Sequence, residues 1–310
     1  MKKVLVIGSL NCDYVINVQK MPQVGETLLC DGFEMIPGGK GANQAYALGR
    51  LGGDVSMLGA VGDDSAGTML RDNLAGVGVD ISRLKCSRQE NTGAAFICVD
   101  SSGHNSIIVI QGANRAVDIP YIKANDDLLE ACDIVLLQME IPMETVVYAA
   151  QRAKALGKTV ILDPAPASTG VPRELYACVD FIKPNEVELG TLVGDEQAEE
   201  HLEKSAVLLQ DMGVRNVVVT LGQNGAFLRD ECGNSRYFPA NTDMRPVDTT
   251  AAGDSFTAAL AYGLSTGRGL YGAMDLAICV SGIVVTRKGA QTSIPSMDEV
   301  REFLGDRQCD

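Results

Sequence analysis

The chain has 310 residues, 46% of them hydrophobic, enough to build a sizeable core as one large α/β domain or two smaller ones. A formal charge of −14 and a pI near 4.6 repel a phosphate backbone, and no dense Lys or Arg run offsets that, so nucleic acid is excluded as a partner. The nine cysteines form no C-x-x-C pair and only His104 and His201 could assist them, which leaves no zinc site and suggests a reducing, cytosolic setting.

The apolar run of MKKVLVIGSLNCD ends at Leu10 without a cleavage pattern, so it reads as a buried first strand rather than a signal peptide. No later stretch reaches the roughly 18 apolar residues of a membrane span, and no membrane partner is expected. In chain order, Val4–Ile7, Val55–Gly59, Ile134–Leu137, Val160–Leu162 and Val217–Leu221 are predicted strands. Lys40–Leu51, Ala66–Ala75, Met143–Leu156 and Ala198–Met212 carry helical spacing between them, which is the alternation of parallel βαβ units. Two stretches break it. Residues 14–36 and 91–111 each hold two short strand-like runs around turn signals (Pro22 and Gly25; Ser101–Gly103), and read either as surface hairpins or as a small projecting sheet able to close over a ligand. The last third is helical, with Asp254–Ser265 and Leu270–Arg287, and its buried cysteines, Cys279 like Cys98 upstream, read as small core residues.

Familiar nucleotide motifs fail. Lys40 is followed by Gly41, so there is no P-loop; the G-x-G-x-x-G at Gly267–Gly272 lies between two helices and reads as a turn, not a dinucleotide fingerprint. What stands out is a pair of small-residue segments, GGKGANQA at 38–45 and DTTAAGDS at 248–255. In the second, Ala251, Ala252 and Gly253 precede Asp254 at the start of a helix, bringing unpaired amides and a carboxylate to one point. Donors for an anion beside a potential base suggest phosphoryl transfer. Polar residues also recur at strand ends: Asn11 and Asp13, Glu140, Asn185 and Glu188, Thr220 and Gly222. Carboxyl ends of parallel strands share one edge, where ligands bind.

GSLNCD at 8–13, GGKGANQA, GAN at 112–114, KPNEVE at 183–188, TLGQNG at 220–225, DTTAAGDS and TRKGAQTS at 286–293 together resemble the ribokinase-like carbohydrate kinase family, in order and over essentially the whole chain. The resemblance implies an α/β fold with a central, mostly parallel sheet (residues 1–13, 37–90 and 112–310) and a β lid (14–36 and 91–111) that also makes a homodimer contact. It implies ATP-dependent phosphorylation of D-ribose, or a related small sugar, on its primary hydroxyl. Asp254 is then the base, with amides of Ala252, Gly253 and Asp254 as the anion hole. Asn11, Asp13, Gly39, Lys40, Gly41, Ala42, Asn43 and Glu140 surround the sugar, and the polar ones suit a polyol. Asn185, Thr220, Leu221, Gly222, Gln223, Asn224, Gly225, Gly253 and Ile278 lie on the nucleotide side, and Ile278 stands where family members often carry a histidine beside adenine. Glu188 organises Mg2+ through water. Asp248, Thr250, Val284, Arg287, Gly289 and Ser293 form a loop for activating K+, mostly through backbone carbonyls. Ala95 and Val109 match apolar lid positions, although HNSIIVIQGAN is one residue shorter than in some relatives.

Two other function classes stay open at this stage. Another kinase of the family, such as a deoxyribokinase or fructokinase, differs in the need for 2-hydroxyl partners, for which Asn11 and Asp13 are available. A non-catalytic sugar-binding protein would have lost the base or anion hole, and Asp254 and its small residues are intact.

Overall fold

A computed structural model describes residues 1–102, 104–241 and 244–305. Gly103 and Cys309, both part of the sequence reading, lie outside them. The main sheet has eight strands. From one edge these are Ser235–Phe238, Ala226–Arg229, Asn216–Thr220, Phe181–Ile182, Thr159–Leu162, Ile134–Leu137, Val4–Ile7 and Val55–Leu58. Val4–Ile7 shows why its run is continuously apolar: it is fully buried, with parallel partners on both sides. Val4 and Val6 join the core on one face and Leu5 and Ile7 the core on the other, as a period of two requires. The first face packs on the helices Lys40–Arg50, Ala252–Ser265 and Gly269–Val285; the second packs on Met143–Ala155 and Leu202–Asp211.

The main sheet is parallel except at one edge, where Ala226–Arg229 and Ser235–Phe238 form an antiparallel hairpin extension absent from the sequence reading. The helix expected from Ala198 starts at Leu202, and the helix expected from Asp254 starts two residues earlier, at Ala252. Gly267–Gly272 does span the turn between two helices. These helices approach closely because Gly263 has no side chain; a Cβ there would sit 2.6 Å from Ala273 Cα.

The two irregular stretches form one separate four-stranded sheet in the order Glu34–Gly38, Asn11–Asn17, Gly93–Val99 and Asn105–Ile110, which decides against independent hairpins. Its second strand begins at Asn11 rather than after Asp13. Asn11 and Asp13 are therefore residues of the small sheet itself, because the chain runs directly from Ile7 through Gly8–Leu10 into the new strand. Registers place Asp13, Ile36, Ala95 and Val109 in one row, and Tyr14, Met35, Phe96 and Ile108 in the next row, on the opposite face. Cys98, expected in the core, is half-buried on this sheet, whereas Cys279 is buried; no disulfide joins any of the eight described cysteines. No helix among the described residues is long and apolar enough to cross a membrane.

Candidate active site

The parallel strands end in register, so Ile7, Leu58, Leu137 and Leu162 align and the residues after them share one edge. Ser9, Glu140, Asp163 and Lys183 all follow such ends, and the small sheet rises beside them. Asp254 stands at this edge, in the first turn of the Ala252–Ser265 helix, and is buried.

Asp254 is held from both sides. Asn43 Nδ2 donates to its Oδ2 at 2.9 Å and Gln44 Nε2 to its Oδ1 at 3.3 Å, both from the helix Lys40–Arg50. Asn43 is oriented in turn by Gln291 Nε2, which donates to Asn43 Oδ1 at 3.0 Å, and Asn73 donates to Gln291. The Lys40 ammonium stands 3.9 Å from Asp254 Oδ1, and this carboxylate pushes the Lys40 pKa upward against the opposing effect of burial.

Ala251 precedes the helix with φ 60°, the one non-glycine among the described residues with positive φ. Its carbonyl accepts the first helical bond, from Ser255 N–H. Ala252 N–H donates to Thr249 O at 3.2 Å, so the expected three-amide anion hole narrows to Gly253 and Asp254, whose N–H groups no intrahelical carbonyl can reach.

The sugar-side residues divide into those that line the edge and those that build it. Gly39 adopts φ 87°, and a Cβ would lie 2.6 Å from Asn11 N, so the backbone turns into the helix only with glycine. A Cβ on Gly38 would lie 2.2 Å from Asp13 Oδ2. Gly41 and Ala42 are buried; Ala42 N–H bonds Ser9 O at 2.9 Å and a Gly41 Cβ would meet Ser9 N at 2.6 Å, so both serve packing on the first strand's exit. Ser9 Oγ donates to Glu140 Oε2, and Lys40 N–H reaches the same oxygen at 3.1 Å. Burial raises the Glu140 pKa, with Ser9 and Lys40 pulling it back. Asp13 is pushed up to about 7, first by burial and then by the charges of Glu140 and Asp254.

Asn11 depends on Asn114 of the GAN segment. Asn114 Nδ2 donates to Asn11 Oδ1 at 2.8 Å and to Leu10 O at 3.1 Å, and its Oδ1 accepts from Leu10 N at 2.9 Å. With Oδ1 occupied, Asn11 presents its NH2 as the free end. Asn114→Ala is expected to raise the sugar KM about 10-fold or more, through the loss of buried bonds each worth about 1 kcal/mol, while kcat changes less; steady-state kinetics at saturating nucleotide would check this.

On the nucleotide side, Asn185 caps the helix Glu186–Val193 in a reciprocal box: its side chain accepts from Glu188 N–H and Glu188 Oε2 accepts from Asn185 N–H, both at 2.8 Å. Thr220 N–H bonds Pro184 O at 3.0 Å and joins the two segments. Gly222, Gln223 and Asn224 form an exposed turn after Thr220 and the buried Leu221, and it closes at Gly225, whose missing Cβ would strike Phe238 O. Ile278 is half-buried against the core packed under the Ala252–Ser265 helix.

Behind the helix start, Asp248 Oδ1 accepts from Thr250 N–H and hydroxyl at 2.9 and 2.6 Å, and Oδ2 from Gly289 N–H at 2.9 Å. Burial opposes ionisation, yet these bonds hold the Asp248 pKa below the ordinary carboxylate range. The Arg287 guanidinium is taken by Glu299 at 2.9 Å. Val284 lies in the last turn of the helix Gly269–Val285, where carbonyls carry partial negative charge, and Ser293 is buried in the following turn. No group of three or more His, Cys, Asp or Glu side chains among the described residues is placed to hold a metal.

A model of the pfkB family of carbohydrate kinases matches residues 1–297. The chain belongs to this family. A ribokinase of Haemophilus influenzae is 39% identical over 304 residues, covering 98% of each chain. A deoxyribokinase of Salmonella typhimurium is 36% identical, covering 97% of this chain and 98% of its own. Among solved structures, Arabidopsis thaliana ribokinase complexed with ribose and ATP superposes with a TM-score of 0.92 at 32% identity, covering 98% of both chains. Family membership agrees with the expected kinase class and the expected α/β fold with its separate small sheet. The sequence reading singled out Asp254, Asn43 and Glu140 but passed over Ser9, Gln44, Asn114, Asp163, Lys183 and Gln291. All but Asp163 lie inside the motif segments that carried the resemblance.

Proposed function

We propose that this pfkB-family kinase transfers the γ-phosphoryl group of ATP to the primary O5 hydroxyl of D-ribose. The observation that carries the reading is the two-sided hold on Asp254 beside the free amides of Gly253 and Asp254. A carboxylate fixed by Asn43 and Gln44 is oriented to take one proton. In the reaction O5 attacks the γ-phosphorus in line, its proton passes to Asp254, and the bond to the β,γ-bridging oxygen breaks to release ADP. The Gly253 and Asp254 amides stabilise charge on the transferring group, which is where preorganised donors act most strongly.

The sugar lies between the strand edge and the small sheet, in contact with Asn11, Asp13, Gly39, Lys40, Asn43 and Glu140; the buried Gly41 and Ala42 shape that wall without touching it. The 39% identity to a ribokinase and the ribose and ATP complex of a ribokinase with a TM-score of 0.92 favour ribose and ATP. The 36% identical deoxyribokinase favours deoxyribose as the second reading.

Mg2+ supplies charge neutralisation on the triphosphate when bound. Glu188 suits it through water, since one of its two carboxylate oxygens, Oε2, already accepts from the Asn185 amide. The carbonyls of Val284, Arg287, Gly289 and Ser293 suit K+, with Asp248 and Thr250 fixing the loop rather than offering free side-chain oxygens. Residues 14–36 and 91–111 act as lid, and two copies pair through it. Asn105–Ile110 is an edge strand in which Ile107, Ile108, Val109 and Ile110 are each at least half exposed, and Ile108 and Ile110 share one face with Phe96 and Met35. Ile108→Asp is expected to convert the dimer to monomer in sedimentation velocity.

The function is tested by ADP release with D-ribose, 2-deoxyribose, fructose and adenosine in turn, with and without K+. Ribose as the best substrate supports the reading; a preference for 2-deoxyribose selects the second, and no stimulation by any sugar overturns both.

A further inference from the structure

Behind Asp254, at the strand ends, lies a buried polar group set apart from the side chains assigned above to the sugar and the nucleotide. Gln44, Asp163 and Lys183 are at most 3% exposed. The Gln44 amide spans two carboxylates: Nε2 donates to Asp163 Oδ2 at 2.9 Å and to Asp254 Oδ1 at 3.3 Å, and Oε1 accepts from Gln138 Nε2 at 2.6 Å. Every hydrogen of that amide nitrogen is used. Lys183 Nζ sits 3.2 Å from the same Asp163 oxygen and 3.5 Å from Gly253 O, and Thr257 Oγ1 donates to Gly253 O at 3.0 Å.

The Gly253 carbonyl belongs to the peptide that carries the Asp254 N–H. In a planar trans peptide the two point in opposite directions, so bonds that fix the carbonyl also aim the amide. A Cβ on Gly253 would lie 3.3 Å from Lys183 Nζ, so the small residue is what lets the ammonium come this close. A buried ion pair is a weak stabiliser, often replaceable by apolar side chains at no cost, so stability alone does not account for these two charges.

We propose that Gln44 and the Asp163–Lys183 pair are positioning residues for phosphoryl transfer: Gln44 fixes the Asp254 carboxylate, and Lys183, balanced by Asp163, aims the Asp254 amide through the Gly253 carbonyl. The inference rests on the kinase reading above with Asp254 as base. Their loss affects the transition state more than substrate binding, because an error of about 1 Å in such groups can cost 10²-fold in rate.

The test uses the full chain with its best sugar, and wild type assayed in parallel separates failure of this inference from failure of the kinase reading. Lys183→Met alone leaves Asp163 buried without its partner and is expected to lose stability. Asp163→Asn/Lys183→Met removes both charges and is expected to regain much of that stability while kcat stays about 30-fold or more below wild type, with KM for sugar and ATP within about 3-fold. Gln44→Met leaves the ion pair in place and is expected to lower kcat about 10-fold at unchanged KM values. Wild-type kcat in both the double variant and Gln44→Met would overturn the proposal. So would a rise of about 10-fold in the KM for ATP with kcat kept, since Lys183 would then be a nucleotide contact.

Discussion

Asp254→Asn is expected to lower kcat by about 10³-fold, with the KM for sugar and ATP changed only a few-fold and the fold intact. General base catalysis contributes about 10² to 10⁴-fold. An amide of the same shape cannot take the proton from the attacking hydroxyl. It also disturbs its own anchoring, since Asn43 Nδ2 and Gln44 Nε2 both donate to this group and an Asn side chain offers one oxygen and one NH2. One of the two donors then faces another donor, which argues for the upper part of that range. Rapid-quench measurement of a single turnover separates the chemical step from product release. If the variant kept more than about a tenth of wild-type turnover, Asp254 would not be the base.

The second large effect is a pH dependence set by Asp13. Its pKa is pushed up to about 7 by burial and by the neighbouring charges of Glu140 and Asp254, so in the empty protein Asp13 is half-protonated near neutrality. Sugar hydroxyls donate to the carboxylate form, so binding favours ionisation and releases a proton below pH 7. The KM for sugar is therefore expected to fall with rising pH up to about 7 and then level, by as much as 10-fold per unit on the acidic side. Stability of the empty protein runs the other way. A carboxyl whose folded pKa is raised above its ordinary 3.8 binds more protons folded than unfolded between those values, so the contribution of Asp13 is lost as pH rises from about 4 through about 7. Asp13→Asn is expected to remove both slopes and to raise the sugar KM about 10² or more, since hydrogen bonds to a charged group are worth about 1.5 to 3 kcal/mol each. A KM profile in Asp13→Asn that still bends near pH 7 would assign the titration to another group.

The alternation of strands and helices was legible because runs such as VLVI and IVLL are buried on both faces and their flanking helices have one apolar side. Ala226–Arg229 and Ser235–Phe238 were not, since a hairpin of two four-residue strands carries too short a pattern to separate from a loop. Asn11 and Asp13 were read as polar groups after the first strand, whereas they belong to a second strand that follows the first after a three-residue turn. The helix start that carries Asp254, the proposed base, was readable from local small residues. The support of Asp254 was not: Gln44 is 119 residues from Asp163 and 210 from Asp254, and Gln291 is 248 from Asn43, so only the fold brings these side chains together.

The most direct measurement of the central claim is the product formed from ATP and D-ribose labelled with 13C at C5. A phosphorus coupling on the labelled carbon, appearing with wild type and about 10³-fold more slowly with Asp254→Asn, is the result expected for transfer to O5. Phosphate attached at any other carbon, or the same product rate from both proteins, would contradict it.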